Sequence, residues 1–172
     1  MTFRIRPAEP TDAEAIRRIH LSAFPTALEA DLVERLDRDG DLIISLVAER
    51  QSEAVGHVAL SRMRVEAEGR RWRALGLGPI GVERSMQGSG AGTALIEAAK
   101  AIARATREEL IFVLGEPDYY RRFGFSAEIA GPFEAPYSGP FFMALTLQPG
   151  LSLPARGSAD YAAAFAELSE RT

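Results

Sequence analysis

The chain has 172 residues, a formal net charge of −4 and no cysteine, which excludes disulfides, thiolate metal sites and cysteine nucleophiles. Its 20 basic residues are spread along the chain and do not form the clustered basic face typical of nucleic-acid-binding proteins. Every apolar run is shorter than the roughly 20 residues that a membrane-spanning helix needs. Residues 1–6 alternate charged and apolar side chains, unlike a secretion signal. We therefore expect one cytoplasmic domain over residues 1–172, without a metal ion, a nucleic-acid partner or a membrane partner.

The first part of the chain predicts a strand followed by two helices. Alternation over residues 3–6 indicates a short strand. Thr11 and Glu14 have the spacing of a capping box, and Ile16 and Ile19 then recur at helical spacing until Pro25 breaks the pattern. A second helix is predicted from apolar residues with the same period, namely Leu28, Leu32, Val33 and Leu36.

From residue 42 onward the pattern changes to that of strands, with one long helix and one short helix between them. Runs of β-branched and aliphatic residues separated by turn residues predict four strands, at residues 42–49, 54–65, 72–82 and 109–114. An apolar run predicts a last strand at 141–147. An alanine-rich segment over residues 90–106 predicts the long helix, and residues 117–123 predict the short one. Tyr161, Phe165 and Leu168 have helical spacing and predict a helical tail over about 158–169 that packs back on the core, residues 3–147.

The resulting order is β-α-α-β-β-β-α-β-α-β with a helical tail. A run of antiparallel strands that leads into a β-α-β crossover predicts an α/β fold, with a mixed, largely antiparallel central sheet and helices on both faces.

The most informative segment is a glycine-rich turn between a strand and the long helix. The predicted strand ends at Val82, and Gly88, Gly90 and Gly92 follow just before and within the start of the helix. Glycines let the backbone approach a ligand closely. The N–H groups of the first helical turn lack internal partners and carry the positive end of the helix dipole. A phosphate or pyrophosphate fits such a turn.

Three other interpretations of this turn are conceivable. A Walker loop is excluded because Lys100 lies two helical turns too late. A dinucleotide-binding fingerprint is disfavoured because Thr93 occupies the place of its third glycine. A tight strand-to-helix turn that binds no ligand stays open on this segment alone, since such glycine clusters are common.

The pattern Gln87-x-x-Gly90-x-Gly92 resembles the Gln/Arg-x-x-Gly-x-Gly/Ala signature of the GNAT superfamily of N-acetyltransferases, in which this turn holds the pyrophosphate of acetyl-CoA. The resemblance implies the acyl-CoA N-acyltransferase fold and acetyl-CoA as co-substrate. It also implies that the strand ending at residues 80–82 separates from the strand at 110–114, with the pantetheine arm along Gly81 and Val82. The implied cofactor-binding residues are Ile80, Gly81, Val82, Gln87, Gly88, Ser89, Gly90, Ala91, Gly92 and Thr93.

A second motif strengthens the resemblance. Residues 117–125 read Pro-Asp-Tyr-Tyr-Arg-Arg-Phe-Gly-Phe and resemble the later GNAT motif aromatic-Tyr-x-x-x-Gly-Phe, one helix and one strand after the glycine turn. Within the superfamily, residues 75–79 (Leu-Gly-Leu-Gly-Pro) and 115–125 are similar to the YhbS-like group of predicted acetyltransferases. The resemblance covers residues 3 to about 147.

Attack of an amine on a thioester needs a neutral amine, a polarised carbonyl and a proton for the leaving thiolate. Tyr120 is the candidate general acid, because a phenol is protonated at neutral pH and can still donate. Packing of Tyr120 in the core is the competing interpretation, and Tyr119 is expected to pack in the helix interface. The general base is left open among Glu83, Glu116, Asp118, His57 and a water chain, with a structural role favoured for His57.

The sequence therefore predicts an N-acetyltransferase that moves an acetyl group to a primary amine, most simply on a small molecule, by direct attack in a ternary complex. The chain has no cysteine and no Ser-His-Asp spacing, so no residue stands out as a covalent nucleophile. A non-catalytic acyl-CoA-binding regulator and a subunit that acetylates a protein terminus are the alternatives. Acceptor-side loops are expected at residues 21–36 and 131–140, and an exposed sheet edge would suit a homodimer.

Overall fold

Two β-sheets lie at the centre of the structure, a computed structural model in which residues 2–166 are described. The strands are β1 (Arg4–Pro7), β2 (Leu42–Arg50), β3 (Glu53–Arg62), β4 (Arg64–Ala67), β5 (Arg70–Trp72), β6 (Ala74–Val82), β7 (Leu110–Leu114), β8 (Phe133–Glu134), β9 (Phe142–Thr146) and β10 (Gly157–Asp160). The α-helices are α1 (Ala13–Ala23), α2 (Leu28–Arg38), α3 (Ala91–Ala105), α4 (Pro117–Tyr120) and α5 (Ala127–Ala130).

The larger sheet has the strand order β1-β2-β3-β6-β7-β9. All of its neighbouring pairs are antiparallel except β6 and β7, which run parallel because α3 crosses over between them. The predicted α/β class, with a mixed and largely antiparallel sheet, is confirmed.

Helices cover both faces of this sheet. Successive side chains of a strand point to opposite faces. Ile44 and Leu46 of β2 pack in one buried cluster with Leu95 of α3. Val47 packs in another cluster with Ile19 of α1. The glycine-led helix α3 therefore lies on one face, and α1 lies on the other.

The parallel pair β6 and β7 opens into a fork. The two strands are in register from Ala74 opposite Leu110 to Leu77 opposite Val113, and the pairing stops there. On its other edge β6 stays paired with β3 as far as Val82 opposite Gly56. Residues 78–82 therefore lie along an edge that β7 does not cover, and the backbone groups on that edge are available to a ligand.

The second sheet, in the order β5-β4-β10-β8, covers the half of the larger sheet that α1 and α2 leave open. Phe133 of β8 in this sheet and Phe142 of β9 in the larger sheet both pack on the fully buried Phe112 of β7. The Phe112 ring meets Phe133 edge-on at a centroid distance of 5.4 Å and stacks on Phe142 at 5.2 Å. Such contacts stabilise aromatic pairs beyond the area they bury, so this cluster fixes the β7 side of the fork.

The two middle strands are shorter than predicted, because the chain changes sheets twice. The strand expected over residues 54–65 ends at Arg62, and β4 begins at Arg64 in the second sheet. The strand expected from Trp72 is interrupted at Arg73, whose carbonyl accepts hydrogen bonds from the N–H groups of Glu109 and Leu110. A change of sheet needs such a break, because one straight strand cannot follow two differently oriented sheets.

Two further local predictions were wrong. The capping box of Thr11 and Glu14 does not form, because a 3-10 turn (Pro10–Asp12) precedes α1 and Asp12 accepts from the Glu9 N–H at 2.7 Å. The tail is not helical over residues 158–160, which form β10 because the backbone of β4 offers them hydrogen-bond partners. A helical turn is present at residues 164–166, and Leu168 lies outside the described residues.

Candidate functional site

A cavity of about 530 Å³ lies where the free edge of β6 meets the N-terminus of α3. Nine of the ten residues predicted to bind the cofactor line it: Ile80, Gly81, Val82, Gln87, Gly88, Gly90, Ala91, Gly92 and Thr93. The tenth, Ser89, is not among the lining residues, and its hydroxyl donates to the Met86 carbonyl. The remaining lining residues are Ala23, Phe24, Met86, Tyr119 and Arg122.

Glycine backbone geometry shapes the turn at the start of α3. Gly90 is the N-cap with φ of 95°, and Gly88 has φ of 77°, both in the left-handed region that favours glycine. A Cβ at either position would meet no atom within 4 Å, so the space beside the turn is open. No side chain caps α3, which leaves the N–H groups of its first turn facing the cavity with their partial positive charge.

The β6 wall of the cavity is tied to the same turn. The Gln87 side-chain amide donates to the Val82 carbonyl at 3.2 Å and joins the turn to the end of the strand. Residues 80–82 line the cavity on the edge that β7 leaves free. An extended ligand can therefore run from the turn along the strand, as the resemblance implied.

Arg122 and Tyr119 complete the cavity from the far side of the fork. The Arg122 guanidinium lies 4.7 Å from the centroid of the Tyr119 ring. A Cβ on Gly92 would fall 3.0 Å from the Tyr119 hydroxyl, so this phenol lies directly against the start of α3. The sequence had placed Tyr119 in the helix interface and had not singled out Arg122. Arg122 follows Tyr119 by three residues on the same helical face, and this spacing could have indicated that the two side chains lie together.

Tyr120, the candidate acid, lies on α4 just beyond the end of β7, on the opposite arm of the fork from residues 80–82. Its ring packs so closely on Gly115 that a Cβ there would fall 2.5 Å from the Tyr120 Cε2. Burial, with a smaller contribution from Tyr119, raises the pKa of Tyr120 to about 12. The phenol is therefore protonated at neutral pH and can act as a donor.

Comparison with known proteins agrees with this geometry. Residues 4–127 match the family described as the acetyltransferase (GNAT) domain. The chain belongs to this family. It is 34% identical over 159 residues to the uncharacterized N-acetyltransferase YjhQ of Escherichia coli strain K12, covering 86% of each chain. Identity to the uncharacterized N-acetyltransferase YhbS of the same strain is 32% over 122 residues, with 70% of this chain and 72% of YhbS covered.

Two crystal structures of related acetyltransferases share the fold. Escherichia coli YhbS in complex with CoA superposes with a TM-score of 0.83 at 26% identity, covering 95% of this chain and 92% of that one. A GNAT family acetyltransferase from Brucella melitensis in complex with acetyl-CoA gives a TM-score of 0.76 at 32% identity, covering 95% and 98%. The predicted class, an N-acetyltransferase, is confirmed.

The carboxylates considered as bases for this acetyltransferase are not free to act at the cavity. Glu83 pairs with Arg18 at 2.9 Å. The Asp118 side chain is 98% exposed and points to solvent. Glu116 is also exposed, and the residue contributes its backbone carbonyl to the start of α4. Each of these carboxylates is therefore engaged or solvated on the outside of the site.

His57, by contrast, is fully buried and is hydrogen-bonded to a second histidine that sequence reasoning missed. His20 Nε2 lies 2.8 Å from His57 Nδ1, and the Ser45 hydroxyl lies 2.8 Å from His57 Nε2. Burial lowers the pKa of His20 to about 4, and burial and the neighbouring His20 lower that of His57 to about 3. Both imidazoles are thus neutral at pH 7. The helical period of Ile16, Ile19 and His20, which faces the sheet, was the available signal.

Residues 2–166 of the acetyltransferase lack two further features. No helix in this range has the length and apolar character needed to cross a membrane. The same range contains no cluster of three or more His, Asp or Glu side chains that could hold a metal ion.

Proposed function

We propose that this acetyltransferase binds acetyl-CoA in the fork and transfers the acetyl group to the primary amine of a small molecule by direct attack in a ternary complex. The observation that carries the proposal is the single cavity formed by the free edge of β6, the uncapped N-terminus of α3 and the turn of positive-φ glycines. Acetyl-CoA supplies the thioester carbonyl that is attacked and the thiolate that leaves.

The residues present fit such a ligand. A pyrophosphate needs several N–H donors and positive potential, which the first turn of α3 and Arg122 offer together. Gly88 and Gly90 allow close approach, because neither carries a Cβ. The pantetheine amides need strand-like partners, and the free edge at residues 80–82 has them.

Tyr120 would hold the proton needed by the departing sulfur. It lies across the fork from the β6 edge, and its raised pKa of about 12 keeps the phenol protonated over any practical assay range. A backbone N–H on the free edge near Gly81 or Val82 would polarise the thioester carbonyl.

One unpartnered carboxylate oxygen in the segment expected on the acceptor side supports an amine. In the segment 21–36, Asp31 and Glu34 pair with Arg17 at 3.0 Å and 2.9 Å. One Glu29 carboxylate oxygen, by contrast, is buried without a hydrogen-bond partner among the described residues. A buried carboxylate oxygen without a partner is costly unless a cation or donor reaches it. A protonated amine would satisfy it.

The test is a thiol-release assay with acetyl-CoA and a panel of amines, amino acids, polyamines and aminoglycosides, run with Tyr120→Phe. We expect turnover to fall about 100-fold, the low end for lost general-acid help because a thiolate leaves readily. Acetyl-CoA affinity should stay nearly unchanged, since Tyr120→Phe keeps the ring and its packing on Gly115.

Tyr119→Phe is the control and should keep its turnover, with any change confined to acetyl-CoA affinity, because Tyr119 lines the cavity at Gly92. Full turnover in Tyr120→Phe with a chemistry-limited substrate would make Tyr120 a packing residue. Acetyl-CoA binding without thiol release for any amine would instead favour an acyl-CoA-binding regulator.

A further inference from the structure

Three side chains form a buried hydrogen-bonded chain through the protein beside the cavity. His20 of α1, His57 of β3 and Ser45 of β2 are joined by two contacts of 2.8 Å. Both histidines are fully buried, with 0% of their surface exposed. The His20 Nδ1 at one end of the chain has no hydrogen-bond partner among the described residues. A buried nitrogen without a partner is costly, so its position calls for a functional explanation.

The unpartnered nitrogen faces the wall of the proposed acetyl-CoA site. A Cβ at Gly81 would fall 2.8 Å from His20 Nδ1 and 3.3 Å from the Ala23 Cβ. Gly81 and Ala23 both line the cavity. His20 therefore lies directly behind two small residues of the wall, beside the strand edge at which the acetyl carbonyl would be held.

The other end of the chain reaches a second cavity. Ser45 lines a cavity of about 400 Å³ between α1, α2 and β2. Three carboxylate residues, Glu9, Glu34 and Asp37, also line it, together with one cation, Arg17, which binds Glu34 at 2.9 Å. Water in such a cavity can accept a proton, and the carboxylates favour a positive charge there. The chain of three residues thus connects the transfer site with this second cavity, called the acidic cavity below.

We propose that His20, His57 and Ser45 are a proton relay that carries the proton lost by the amine from the transfer site to the acidic cavity. The proposal rests on the proposed function, because the proton comes from the acceptor amine. It supplies the base that the exposed carboxylates do not.

The proton count of one turnover balances. As the new N–C bond forms, an amine N–H proton passes to His20 Nδ1 through one water molecule at Gly81 and Ala23. The proton on His20 Nε2 passes to His57 Nδ1, and the proton on His57 Nε2 passes to the Ser45 hydroxyl. Ser45 releases its own proton to water in the acidic cavity. After Tyr120 has protonated the leaving thiolate, the reverse shift takes one proton from the acidic cavity at Ser45 and returns one from His20 Nδ1 to the Tyr120 phenolate through water. This shift resets both tautomers and the hydroxyl, so that the amine has lost one proton and the CoA thiol has gained one.

The burial of the two histidines favours a proton relay over a mechanism in which one imidazole holds the proton as an imidazolium. An imidazolium is disfavoured at both histidines, whose pKa values are lowered to about 4 and about 3. Asp12 is the carboxylate that acts on His57, and its charge is shared with Arg6, which binds it at 2.7 Å and 2.9 Å. Phe24 stacks on His20 from the cavity side. A concerted shift leaves each ring neutral before and after the transfer.

The decisive variant is Ser45→Ala, which removes the hydroxyl that accepts from His57 and keeps both imidazoles in place. We expect turnover to fall at least tenfold, with acetyl-CoA affinity by calorimetry unchanged. The dependence of turnover on pH should become steeper. Without the relay, the amine loses its proton directly to solvent, and that step becomes faster as the pH rises. Ser45→Thr restores a hydroxyl and should recover most of the activity. Ser61→Ala, which removes a buried hydroxyl from the neighbouring strand β3, is the control and should keep wild-type turnover.

Nitrogen-15 NMR of the free protein gives a readout independent of turnover. At pH 7 both histidines should be neutral, with an unprotonated Nδ1 on His20 ready to accept. A protonated His20 Nδ1, an imidazolium at either site, or wild-type turnover in Ser45→Ala would overturn the relay. Absence of thiol release by the wild-type protein would instead count against the proposed function.

Discussion

Replacing Gly90 by valine should weaken acetyl-CoA binding at least tenfold while the protein stays folded. Gly90 is the N-cap of α3 with φ of 95°, and a Cβ there meets nothing within 4 Å. The new side chain would therefore project into the open space beside the turn, where the pyrophosphate must approach. A tenfold loss corresponds to about 1.4 kcal/mol of binding free energy.

The same substitution has a calculable cost to stability. A side chain in the left-handed region costs roughly 1–2 kcal/mol. For a protein of this size each kcal/mol lowers the melting temperature by roughly 2–4 °C. The variant should thus melt roughly 2–8 °C below the wild type and remain folded at 25 °C, where calorimetry measures acetyl-CoA affinity.

Gly40→Val is the matched control. Gly40 has φ of 77°, a Cβ there would also meet nothing within 4 Å, and the residue does not line the cavity. It should lose similar stability and keep full affinity. Unchanged affinity in a folded Gly90→Val protein, or an equal loss in Gly40→Val, would refute the assignment of the turn.

Two predictions concern stability. Glu108 has a side chain only 1% exposed that binds two partly exposed arginines at 2.6 Å, so Glu108→Ala should cost about 3 kcal/mol in urea unfolding. The exposed Glu66 is its control, because solvent screens a surface pair and its loss costs far less; equal effects would contradict the claim. Hydrogen bonds from Arg6 lower the pKa of Asp12 from 3.8 to about 2. The stability that this carboxylate contributes is therefore present above about pH 4 and lost as the pH falls through 2. Asp12→Asn should flatten the change in unfolding free energy over that range, and an unchanged slope would argue against it.

The elements that position the cavity could be predicted because their signals are local. A few neighbouring residues are enough to predict each of three elements: the glycine turn before α3, the alanine-rich helix and the strand at residues 110–114. The break in the strand at Arg73 could not be predicted in this way. It depends on hydrogen bonds from Glu109 and Leu110, residues far along the chain.

The tail shows how tertiary contacts override a local period. Tyr161 and Phe165 have helical spacing, yet Ala159 is buried in β10 opposite Val65 of β4. The Tyr161 ring occupies space left free by Gly76, where a Cβ would fall 2.6 Å from it. Pairing with β4 and this close contact depend on the folded sheet, and the tail sequence alone does not contain them.

The histidine pair was missed for the same reason. His20 and His57 are 37 residues apart, and only the packing of α1 on β3 brings them to 2.8 Å. The sequence left His57 as a strand residue and did not single out His20. The partner of a buried polar side chain is set by topology, so its identity becomes visible only when the fold is known.

Hydrogen exchange with and without saturating acetyl-CoA tests the proposed cofactor site most directly. Amides in the first turn of α3 and on the free edge of β6 lack partners and should exchange quickly in the free protein. We expect acetyl-CoA to protect residues 80–82 and 87–93 and to leave the distant turn at residues 68–69 unchanged, with no protection from NAD or ATP. Equal exchange at residues 80–93 under saturation, or the same protection by NAD or ATP, would contradict the proposal that this fork holds acetyl-CoA.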